Sequence, residues 1–193
     1  IKTLRRNRSV DSGTLKNLKS NDGMGSGIDE LCKMIDLYNG PGLNPPPQYT
    51  GLARRVFHND YPTFVDENNL SLAYFATCHG VTVLFTGDLE KAGWESLLED
   101  AAFCNALAGV RVLMAPHHGR QSGVCEEALQ LCRNLNFVVI SDKGYQYDTQ
   151  QTVPTYARFC TGGPFRGQDR KVLTTRRDGK ITFEFSDRGW SAG

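Results

Sequence analysis

The apolar positions change character near residue 70. Before it, one helical pattern stands out. In IDELCKMIDLY (28–38), Ile28, Leu31, Ile35 and Tyr38, with Cys32, share one face and predict a short amphipathic helix. NGPGLNPPPQYTG then reads as a loop, because its run of prolines forbids helix or central strand. After residue 70 short apolar runs alternate with sharp stops. LSLAYFAT (70–77) and VTVLFT (81–86) predict two strands of a hairpin around Cys78-His79-Gly80, with Gly80 free to take positive φ. Gly87-Asp88 stops the second. LEKAGWESLLEDAAFCNALA predicts one helix with Trp94, Leu97, Leu98 and Ala101 on its inner face, closed by Gly109. VRVLMA (110–115) is a strand stopped by Pro116-His117-His118-Gly119. Residues 123–135 predict a helix with Val124, Ala128, Leu131 and Leu135 inward, and FVVIS (137–141) a strand stopped by Asp142-Lys143-Gly144. Residues 153–160 predict a short helix opened by Pro154. VLTTRR and KITFEF predict a closing hairpin around Asp178-Gly179, with Ile181, Phe183 and Phe185 on its buried face.

The middle of the chain is therefore strand–helix–strand–helix–strand between antiparallel hairpins, an α/β (α+β) body. Right-handed crossovers make its three central strands parallel. Their C-terminal ends then share one rim, and in open α/β sheets that rim is where ligands bind. The residues standing there are Asp88, His117 with His118, and Asp142.

Composition narrows the options without choosing among them. With 193 residues, 39% hydrophobic and 22% charged, the chain is of globular character. Twenty-two Lys+Arg against 21 Asp+Glu leave a net charge of +1, which excludes a uniformly basic nucleic-acid coat. Charge is uneven, however. The first ~27 residues carry Lys2, Arg5, Arg6, Arg8, Lys16 and Lys19 against Asp11 and Asp22, and read as a solvated basic arm able to touch phosphate. Residues 1–65 are thus expected to hold this arm, one helix and a proline-rich loop, and 66–193 the main body. No stretch approaches the ~18 apolar residues of a membrane span, so no membrane partner is expected. The six cysteines form no C-x-x-C pair and several sit in apolar patterns, as expected of buried free thiols in the cytoplasm.

Each rim residue has a plain structural use. Asp88 can cap the helix after it, the His pair can be satisfied by backbone, and Asp142 can belong to a turn. Together, a carboxylate and two imidazoles at neighbouring strand ends suit a divalent ion such as zinc, which lowers the pKa of bound water toward ~7. No G-x-S-x-G elbow and no Walker-A sequence competes with this reading. A closed zinc site takes four donors, so the set is short.

NNLSLAYFATCHGVTVLFTGDLEKAGWESLL, VRVLMAPHHGRQS, FVVISDKG and TTRRDGKITFEF resemble the C-terminal half of a metallo-β-lactamase-fold hydrolase. The soluble domain of ComEC-type DNA-uptake competence proteins is the branch they resemble most. The resemblance covers roughly residues 66–187. It implies half of an αββα sandwich and two divalent ions, zinc or manganese, with Asp88 bridging them, His118 a further ligand and His117 beside it as a catalytic or orienting group. Arg120 and Ser122 follow as substrate-binding residues for a phosphodiester or related ester. Three departures stand out. The ligand string His-x-His-x-Asp-His is absent. Arg120 replaces the Ser that relatives often carry after His-His-Gly. The turn after the third strand reads Tyr145-Gln-Tyr147-Asp148 without a histidine, so either Asp148 substitutes as ligand or base or the site is degenerate. The expectation is a piece of a longer enzyme, inactive alone, whose exposed sheet is covered by the missing half or by a second copy. A catalytically silent binding module of the same fold is the alternative.

Overall fold

The computed structural model describes residues 4–20, 23, 25–38, 49–143 and 151–193. The helices are α1 (Ser12–Leu18), α2 (Ser26–Leu37), α3 (Lys91–Leu97), α4 (Ala101–Leu107), α5 (Glu126–Leu131), α6 (Val153–Phe159) and the single turn α7 (Thr175–Asp178). The strands are β1 (Leu52–Phe57), β2 (Ala73–Cys78), β3 (Val81–Phe85), β4 (Val110–Met114), β5 (Phe137–Ile140), β6 (Gly163–Phe165), β7 (Gln168–Arg170), β8 (Val172–Thr174), β9 (Phe183–Ser186) and β10 (Gly189–Ala192). A six-stranded sheet runs β1-β2-β3-β4-β5-β8, and a four-stranded sheet runs β7-β6-β10-β9. This is a mixed α/β chain of the α+β class.

The expected β2–β3 hairpin is present, with Cys78 opposite Val81 and a two-residue turn in which His79 and Gly80 both take positive φ. β3, β4, β5 and β8 are mutually parallel, as the crossovers require. One face of this sheet carries Phe75, Leu84, Leu113, Val138 and Ile140 into a core closed by Trp94, Leu97, Phe103 and Leu107 of α3 and α4. The other face packs Val112, Phe137, Val139 and Leu173 against Phe165, Phe183 and Trp190 of the smaller sheet.

Four expectations are corrected. The segment 89–108 is two helices, since Asp100 accepts from Ala102 N at 2.7 Å and caps a new helix; Ala101 is exposed rather than inward. The helix over 123–135 is only α5, preceded by a 3₁₀ turn over Gln121–Gly123. VLTTRR and KITFEF do not pair: β8 joins β5 in the large sheet, while β9 pairs with β10 in the small one. Asp178 is drawn away from turn duty because its carboxylate binds Arg170 through both oxygens and accepts Thr174 N. The basic N-terminal segment is not merely solvated. Asp11 caps α1, Leu15 packs with Cys32 and Ile35 of α2, and the buried Asn7 donates to the carbonyls of Asn59 and Leu70. β1, which lies before residue 66, pairs along its whole length with β2. Most of the proline loop falls outside the described residues.

Candidate active site

The rim at the C-terminal ends of β3, β4, β5 and β8 gathers the predicted residues. β3 ends at Phe85, and Gly87 O accepts His117 N at 3.0 Å, which ties the Asp88 turn to the turn after β4. That second turn is unusual. His117, His118 and Gly119 all have left-handed backbone, with φ of 48°, 54° and 75°. Left-handed residues with a Cβ cost about 1–2 kcal/mol each and concentrate at functional sites. Gly119 has no substitute, because a Cβ there would lie 2.8 Å from Ile140 Cγ2.

Asp88 is not a helix cap. Glu90 occupies that position, and Asp88 N donates to Ser71 Oγ at 3.1 Å. The Asp88 carboxylate lies 3.8 Å from His118 Nε2, with the two side chains 45% and 58% exposed. His118 Nδ1–H donates to Ser141 O at 2.8 Å, so Nε2 carries the lone pair in the neutral ring. Two lone-pair donors facing each other at this separation are drawn together by a shared proton or a shared cation.

His117 faces a different network. Its Nδ1–H donates to Glu90 Oε1 at 2.9 Å, and its Nε2 accepts from Arg120 Nη1 at 3.1 Å. Ser122 Oγ donates to the same Glu90 oxygen at 2.9 Å. Both ring nitrogens of His117 are thereby engaged, and Arg120 and Ser122 are held beside it.

Asp142 is brought to the rim but turned inward. Its side chain is 2% exposed, accepting from Arg176 Nε at 2.9 Å, from Arg176 N at 2.9 Å and from Thr175 Oγ1. Asp148 lies outside the described residues. His79, at the opposite end of the sheet, pairs with Asp187 at 2.6 Å.

The donor set fits part of a metal site. A carboxylate and an imidazole are the right types, and the Nδ1–H bond to a backbone carbonyl is the outer contact that metal-binding histidines make. Among the described residues, no group of three or more His, Cys, Asp and Glu could hold an ion. The sequence reading missed Glu90, Ser71 and Arg176. Glu90 was legible as the acid two residues beyond Asp88; the other two come from distant segments that only the fold brings near.

No protein-family model matches the chain. Over 143 residues, 73% of its length, it is 26% identical to ComE operon protein 3 of Bacillus subtilis (strain 168). The match spans 17% of that protein, so this chain corresponds to a minor part of its relative. Among the described residues no helix is long and apolar enough to cross a membrane. By sequence, then, the chain is distantly similar to a stretch of ComE operon protein 3.

Proposed function

We propose that this rim is part of the active site of a metal-dependent hydrolase acting on a phosphodiester or related ester, in the metallo-β-lactamase manner, with Asp88 and His118 as two of its metal donors. The observation that carries the reading is the 3.8 Å approach of His118 Nε2 to Asp88 Oδ1, made from separate strand ends with the ring's other nitrogen anchored on Ser141 O. The identity to a stretch of ComE operon protein 3 supports the ComEC-type resemblance. The remaining donors come from elsewhere in the full-length protein, with Asp148 a further candidate. Two divalent ions, zinc or manganese, would supply Lewis-acid polarisation of the ester and acidification of water. The chain's own residues bind and orient. Glu90 fixes the His117 ring, His117 Nε2 holds Arg120, and Arg120 with Ser122 meets the anionic substrate at the mouth.

Cover of this body by further polypeptide of the same protein or by a second copy belongs to the same proposal. The free, mostly buried cysteines support a cytoplasmic location. Contact between the exposed Arg5 or Arg8 and nucleic acid belongs to the same proposal, and would weaken steeply with salt.

The test is phosphodiesterase turnover of the full-length protein. Asp88→Ala and His118→Ala each lower kcat/KM by about 100-fold or more, since even outer-shell changes cost 10–100-fold; undiminished turnover in either overturns the reading. A catalytically silent binding module is favoured by one observation, the absence of a third donor among the described residues. Lack of turnover and of bound metal in the full-length wild type would decide for it.

A further inference from the structure

β8 carries the rim two strands beyond β4, whose turn holds His118, and Arg176 stands in α7 just after its end. The link is short: His118 Nδ1 donates to Ser141 O, the next residue is Asp142, and Asp142 Oδ2 accepts from Arg176 Nε at 2.9 Å. Burial of Asp142 demands a counter-charge, because an uncompensated buried carboxylate is costly. Arg176 meets that demand through Nε–H and its own backbone N–H alone. Among the described residues nothing partners its Nη1 or Nη2, and the side chain remains 26% exposed. A guanidinium clamped on one edge, with its other donors open, loses little rotamer freedom when an anion arrives. Lys143 and Arg177 are exposed beside it and add positive charge.

We propose that Arg176 is a substrate-binding residue of this rim, whose Nη1 and Nη2, preorganised by Asp142, take a phosphate group of the substrate on the β8 side of Asp88 and His118. The assignment rests on the phosphodiester reading of the site. It separates two duties in one side chain: Nε–H balances Asp142, and the terminal amino groups bind the ligand. Lysine can perform the first but not the second, because it offers a point charge in place of the planar fork.

The experiment titrates the chain with inorganic phosphate, following the arginine side-chain NMR signals and comparing Arg176→Lys. The Arg176 signals of the wild type should shift saturably and more than those of Arg166, which is occupied by the Asp178 and Lys180 carbonyls. Arg176→Lys should bind phosphate ~5-fold more weakly or worse, having lost bidentate contact, while Arg166→Lys, outside the rim, binds as the wild type does. In the full-length protein, Arg176→Lys should raise KM more than it lowers kcat. Wild-type phosphate affinity in Arg176→Lys, or Arg176 shifts no larger than those of Arg166, overturns the proposal. The wild-type NMR titration needs no variant, so a folding defect in the substitution does not blunt the test. Full turnover in Asp88→Ala together with a positive phosphate result would defeat the metal reading and leave Arg176 standing.

Discussion

Gly119 and the two histidines before it carry most of what is unusual in this chain. Three left-handed residues in a row aim His117 and His118 in different directions, one into the Glu90 network and one toward Asp88. Gly119→Ala combines left-handed strain with a 2.8 Å clash against Ile140, and should destabilise the chain by about 2–4 kcal/mol in urea unfolding. A loss below about 1 kcal/mol would mean that the turn relaxes. At this scale the sequence was a fair guide. Asp88 and His118 were legible as rim residues because each lies in the turn after an apolar strand. Asp142 was legible as a rim residue but not as a buried one, since its burial depends on Arg176, which lies in a segment read as a hairpin.

Elements were legible where their edges are marked by turn chemistry and not where side chains decide. The His79-Gly80 turn and the parallel β3–β4–β5 order follow from local pattern and handedness. The break between α3 and α4 does not, because the apolar spacing runs on through it and only the Asp100 cap marks the restart. Asp100→Ala should therefore cost about 1 kcal/mol in thermal or urea unfolding, a typical N-cap loss. β1 escaped notice because two arginines interrupt LARRVF, as edge strands allow. The false closing hairpin has a titratable consequence. Burial alone would raise the Asp178 carboxyl, but hydrogen bonds from Arg170 and Thr174 N and the nearby arginines outweigh it and hold it below its usual range. A depressed carboxyl contributes stability that is present above the ordinary carboxylate pKa, near ~4, and is lost as pH falls through the lower folded value. The melting temperature of the wild type should fall more steeply below about pH 4 than that of Asp178→Asn, which starts lower at neutral pH. Parallel curves would remove Asp178 from the acid response.

Across the whole molecule, the main core encloses Cys125, Cys132 and Cys160, and the α1–α2 cluster encloses Cys32. Cys32, Cys125, Cys132 and Cys160 are buried, and burial pushes Cys132 up to about 12 and Cys125 and Cys160 up to about 11. Only Cys78 and Cys104, of intermediate exposure, should react with a thiol reagent at pH 7, and all six after unfolding. Rapid labelling of a third cysteine in the native chain would show that the core opens. The layered body itself was legible from the alternation of apolar runs and stops. The division of labour between two sheets was not, because it depends on which distant strand β8 and β9 each choose. The proposed donor pair at the rim unites these scales, and its occupancy is measured directly by the metal content of the purified full-length protein. The account predicts that wild type retains divalent zinc or manganese through dialysis and that Asp88→Ala and His118→Ala each lose it while melting as the wild type does without metal. Metal retained in full by both variants would contradict it.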